Sequence, residues 1–113
     1  MSQAQTLHIE AMQKAADAFA AQRSGDYHNY LQLTKQAFEK EKEAAWLLFH
    51  KTKAEPTRSI LFRSAAQLAF NCGKMREAEQ LISAALAGNP PIEILRELRL
   101  LYREVLDTFE LVA

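Results

Sequence analysis

The chain has 113 residues, 49% of them hydrophobic and 25% charged, with three Gly, three Pro and one Cys. Its 14 Lys and Arg balance its 14 Asp and Glu; a nucleic-acid binder needs a basic excess for its phosphate contacts, so nucleic acid is not expected as a partner. The lone Cys72 excludes an internal disulfide and a cysteine-rich metal site.

This length suits one domain, residues 1–113, and allows roughly 65% of the unfolded chain's surface to be buried. Breakers are scarce, while Ala, Leu, Glu, Gln, Lys and Arg are abundant, which is the composition of an all-α protein. No apolar run approaches the roughly 18 residues of a membrane span, and no basic segment followed by an apolar core opens the chain. The expectation is a cytoplasmic protein with no membrane partner.

From about Ala4 to Arg23, Leu7, Ala11, Ala15 and Ala18 recur at steps of three and four, which places them on one helical face. Ser24-Gly25-Asp26 ends this first helix, the glycine suiting a left-handed terminal position and the aspartate capping the next element. A second helix is predicted from Asp26 to about Lys53, with no Gly or Pro inside it. Its stripe runs through Tyr27, Tyr30 or Leu31, Thr34, Ala37 or Phe38, Glu41, Ala44 or Ala45, and Leu48. The charged segment 38–43 within it reads as a solvated face with i,i+4 ion pairs. Trp46, Leu47 and Leu48 read as buried against later helices.

Glu55-Pro56 stops that helix, because the residue before proline avoids the helical region, and Pro56 suits the start of a third. The third carries Ile60-Leu-Phe62, Ala65-Ala66 and Leu68-Ala69-Phe70 and ends at Cys72-Gly73. A fourth runs from about Lys74 to Ala87, with Ala78, Leu81, Ile82, Ala85 and Leu86 inward. Gly88 ends it, and Asn89-Pro90-Pro91 leads into a fifth over about Ile92 to Leu111, with Leu95, Leu98, Leu101, Tyr102, Val105 and Phe109 on one side. The prediction is about five antiparallel helices with short connections.

Between Ile60 and Pro90 the placement of large and small residues is more specific than composition. Phe62, Ala65-Ala66, Gly73, Ala78, Ile82, Ala85 and Pro90 resemble one tetratricopeptide repeat, a helix–turn–helix of about 34 residues. Small side chains at Ala66, Ala78 and Ala85 allow two antiparallel helices to approach closely. Ala69 departs from the pattern, standing where that family usually has Tyr; either a neighbour fills the volume or the groove is wider there. Ala18, Gly25, Tyr27 and Ala37 echo the same hairpin more weakly. The resemblance implies a degenerate first hairpin over 1–54, a tetratricopeptide-like hairpin over 55–90 and a capping helix over 91–113. The first half also resembles three-helix microtubule-interacting-and-transport domains. The segments Glu55-Pro-Thr-Arg-Ser59, Ser64-Ala-Ala66 and Leu86-Ala-Gly-Asn-Pro-Pro91 are similar to a group of small uncharacterised bacterial proteins.

Chemical signatures are sparse. His8, His28 and His50 lie on three segments without a ligand-spaced partner, so no metal site is expected. Cys72, at the negative end of a helix dipole, is disfavoured as a thiolate. Glycine-rich phosphate loops and a nucleophile elbow are missing, and Glu41 with Glu43 or Glu77 with Glu79 point to different helix faces. No enzyme activity, catalytic residue or cofactor is expected. Arg58 sits against the dipole in a helix's first turn, which calls for a partner such as Glu55 or a carboxylate from another helix.

The tetratricopeptide resemblance implies a protein–protein interaction module that takes a peptide or helix in a groove. Carried onto this chain, its groove positions are Arg63, Gln67, Phe70 and Asn71. Some members clamp a terminal carboxylate with a basic residue and an asparagine one turn later, a spacing that Arg63 and Gln67 reproduce with glutamine in place of asparagine. Against this stand a cover over the groove by the second or fifth helix, a structural homodimer through Trp46, Phe49, Tyr102 and Phe109, and a regulatory subunit of some enzyme. The partner itself, a protein or peptide, is not identified by any motif.

Overall fold

The computed structural model describes residues 1–112, and they are all-α: α1 (Gln3–Arg23), α2 (Tyr27–Leu47), α3 (Thr57–Asn71), α4 (Met75–Leu86) and α5 (Ile92–Val112). Helices α1 and α2 form one hairpin, and α3 and α4 another. Helix α2 packs on α3, and α5 packs on both α4 and α3. The result is a slab of 41 × 40 × 20 Å.

The two hairpin turns are the same device used twice. Gly25 and Gly73 each adopt φ of 81°. Beyond Gly25, the Asp26 N–H donates to Ala21 O at 2.9 Å; beyond Gly73, the Lys74 N–H donates to Ala69 O at 2.8 Å. These bonds close the last helical carbonyls in a Schellman motif, which a residue with a Cβ enters only under strain. Ser2 and Gln5 cap the start of α1 reciprocally, side chain to backbone in both directions, satisfying donors that the first turn leaves free.

More than half of the buried apolar residues are alanines, which lets the helix axes approach closely. Helix α1 buries only Ala4, Ala11, Ala18 and Ala21, so it holds little apolar area of its own. The bulk of the core is Phe38, Phe62, Leu81, Ile82, Leu98 and Val105, at the junction of α2 to α5. Ala69 is fully buried within that core.

Four expectations are corrected. Helix α2 ends at Leu47, six residues before Lys53, and tighter i→i−3 bonds follow, from Leu48 to Ala45 and from Phe49 to Trp46. No local breaker causes this. The early end carries Phe49 onto Phe62, ring centroids 6.4 Å apart, and frees its carbonyl to accept from Arg58 Nε at 3.0 Å. Second, Trp46 and Leu47 remain 40% and 42% exposed, because the shortened helix leaves them at its rim. Third, segment 38–43 is not a solvated face throughout: Phe38 and Glu41 are fully buried.

The fourth concerns Arg58, which is 1% exposed and meets no carboxylate among the described residues. Its Nη2 donates to Ala84 O at 3.0 Å, a carbonyl in the last turn of α4 with no partner inside that helix. The guanidinium lies 5.5 Å from the Phe49 ring centroid and 5.0 Å from that of Phe62. Two carbonyls, two ring faces and the negative end of α4 take the place of an acid. Glu55 instead accepts from the Ser59 N–H, at 3.1 Å, and from the Ser59 hydroxyl.

Candidate functional site

Helices α1, α3 and α5 line one side of the slab and leave a trough of about 570 Å³ between them. Met12 and Ala15 form its α1 wall, Arg63, Ser64, Gln67 and Leu68 its floor, and Glu97, Leu100, Leu101 and Glu104 its α5 wall. A smaller hollow of about 150 Å³ shares Ala15 and Leu68 and continues toward Phe19, Gln22, Tyr30 and Asn71. Neither α2 nor α5 covers the trough; α5 is one of its walls.

Periodicity explains the placement. On α3, Arg63, Gln67 and Asn71 follow one another at steps of four, one face of the helix. Phe62, Ala65, Ala66 and Ala69 take the opposite side into the core. Leu100 stands 67% exposed on the α5 wall.

The polar groups of the floor are already engaged. Arg63 Nη1 donates to Glu97 Oε2 at 2.8 Å, bridging α3 and α5. Gln67 Nε2 donates to Asn71 Oδ1 at 2.9 Å. Of the four residues expected at the groove, Arg63 and Gln67 line the trough and Asn71 lines its extension. Phe70 is half-buried against the core and lines neither hollow. A carboxylate arriving at Arg63 meets a guanidinium whose Nη1 already bonds Glu97, so it competes with Glu97 for that cation.

Beneath the floor is a feature that residue-by-residue reading missed. The Glu41 carboxylate on α2 is fully buried, and His8 Nδ1 on α1 lies 2.9 and 2.8 Å from its two oxygens. Burial pushes the Glu41 carboxyl above its usual range; hydrogen bonding and charge from His8, the Ser64 hydroxyl and the Arg63 charge oppose that rise. One carboxylate therefore ties α1 to α2. The signal was present in the sequence, since Glu41 falls on the inward stripe of α2 and charge alone argued for solvent.

Cys72 caps α3, with its thiol 3.6 Å from Ala69 O. Burial is the main cause that pushes this thiol up. Among the described residues no group of three His, Cys, Asp or Glu side chains is placed to hold a metal ion, and no helix is long and apolar enough to cross a membrane. No protein-family model matches the chain, and no curated protein or solved structure matches it either.

Proposed function

We propose that this chain is a non-enzymatic interaction module that holds a peptide or helix of a partner protein in the trough between α1, α3 and α5. The observation that carries the reading is the trough itself, which combines an exposed apolar wall at Leu100 with amide and ionic groups at Gln67, Asn71, Arg63 and Glu97. Apolar contact supplies affinity in such a surface, and a few polar groups fix register. Gln67 and Asn71 bond to each other and so present a remaining donor and acceptor to a bound main chain. The tetratricopeptide-like pattern of α3 and α4 supports the same reading, as does its placement of Arg63, Gln67 and Asn71. The setting we propose, a bacterial cytoplasm, rests on the resemblance of segments 55–59, 64–66 and 86–91 to small bacterial proteins.

The test uses the tagged chain as bait in native lysate beside Arg63→Glu/Asn71→Ala and Leu100→Asp variants. The recovered partner's segment is then titrated into isotope-labelled wild type. Loss of capture in both variants, with amide shifts centred on Gln67 and Leu100, supports the trough. Capture that survives both substitutions, or shifts centred elsewhere, sinks it. Leu100 is mostly exposed, so its substitution leaves the fold intact.

A further inference from the structure

Helix α5 has three working sides. Ile94, Leu98, Leu101 and Val105 face the core, and Glu97, Leu100 and Glu104 face the trough. The third side is covered by no other helix among the described residues; only Tyr102 at its edge reaches the core. There Arg99, Tyr102, Arg103, Leu106, Asp107 and Glu110 line a shallow hollow of about 330 Å³.

Two observations distinguish this face from an ordinary solvated one. It retains apolar surface, with Leu106 39% exposed and Tyr102 half-buried beside it. Its charges are also sorted along the helix, arginines toward the N-terminal end and acids toward the C-terminal end. Among the described residues none of Arg99, Arg103, Asp107 or Glu110 has an ion-pair partner within the chain, although six such pairs form elsewhere.

We propose that this face is a two-fold interface with a second copy of the chain, made by antiparallel packing of α5 on α5. A patch with basic residues at one end and acidic residues at the other is complementary to itself when reversed, as an isologous contact requires. A parallel pairing sets Arg99 against Arg99 and is repelled. With the two-fold axis crossing the helix midway between Glu104 and Val105, Arg99 lies as far on one side as Glu110 lies on the other. Each Arg99 then faces Glu110 of the second copy, twice by symmetry. The two Leu106 side chains fall within about 5 Å of each other along the axis, at 1.5 Å rise per residue, and each enters the hollow between Arg99, Tyr102 and Arg103 as a knob enters a hole. Tyr102 comes level with Asp107 of the second copy. The trough side of α5 points away from this contact, so both troughs stay open and the dimer stands or falls independently of peptide binding.

The experiment is sedimentation equilibrium over a wide range of protein concentration. Wild type is expected to reach a mass twice the 12.8 kDa of one chain. Arg99→Glu places acid against acid and is expected to stay monomeric at concentrations where wild type is dimeric, as is Glu110→Arg alone. The double variant Arg99→Glu/Glu110→Arg restores opposite charges only across the two-fold axis and is expected to recover the dimer. Far-ultraviolet circular dichroism confirms that each variant keeps its helices. A wild type that is monomeric throughout, a dimer indifferent to Arg99→Glu, or a folded double variant that stays monomeric each overturns the proposal.

Discussion

Arg58 and Glu41 show how two charged residues enter a core built largely of alanine. The Arg58 guanidinium is held at two carbonyls and against two rings, and the backbone of Gly88 closes over it. A Cβ at Gly88 comes 2.3 Å from Nη1 and 3.0 Å from Cζ of Arg58. The guanidinium is pinned and cannot swing away, so Gly88→Ala is expected to cost about 1–3 kcal/mol as overpacking. Arg58→Ala removes the packed stem and both hydrogen bonds and is expected to cost about 3 kcal/mol, a fall in Tm of roughly 10 °C or more at this chain length. In the double variant the collision has gone, so Gly88→Ala is expected to be nearly silent there. Additive losses in denaturant melts count against the contact.

Glu41 makes a second prediction at the same scale, in pH. Its native carboxyl titrates above the ordinary value of 4.5 because burial penalises the charge. Between 4.5 and that raised value the folded chain binds more protons at this site than the unfolded chain does. Its contribution to stability is therefore largest below 4.5 and is lost as pH rises through the native value. Glu41→Gln keeps the shape and removes the titration. The stability of wild type relative to this variant is thus expected to fall as pH is raised from 4.5 toward neutrality, measured as paired thermal melts. A difference that stays flat or rises refutes the assignment of burial as the dominant cause.

At the scale of elements, the helix starts and stops were the most legible part of the chain. Gly25 and Gly73 mark their hairpin turns because the φ of 81° is a local demand that a glycine in the sequence advertises. Nothing lies within 4 Å of a Cβ built at either, so Gly25→Ala and Gly73→Ala test backbone strain alone. Each is expected to cost about 1–2 kcal/mol, and, unlike Gly88→Ala, neither loss is relieved by Arg58→Ala. The end of α2 was illegible for the converse reason. Residues 48–53 contain no breaker, and the helix stops because the Phe49 ring and carbonyl are worth more against Phe62 and Arg58 than in another helical turn. The buried stripe that carries Arg58 continues through Phe62, Ala65 and Ala69 at steps of four, three and four. Its periodicity pointed inward while its charge pointed outward, and periodicity was the better guide.

At the scale of the whole molecule, α5 separates two associations by using different sides for each. Leu100→Asp is expected to abolish peptide capture and leave the mass in solution unchanged, whereas Arg99→Glu is expected to halve the mass and leave capture intact. Pull-down and sedimentation on the same two proteins check both, and a single substitution that destroys both properties refutes the separation.

The sequence by itself determined the all-α class, the number of helices, both glycine turns and the small residues that bring the helices close. Each of these is set by local periodicity or by the conformational limits of one residue. Tertiary structure alone decided that Glu41 meets His8, that carbonyls and rings enclose Arg58, that Glu97 engages Arg63, and that the trough lies open while one side of α5 stays bare. The spacing of side chains along a helix states which face is apolar, but the neighbour that covers that face comes from a distant part of the chain and is chosen by packing.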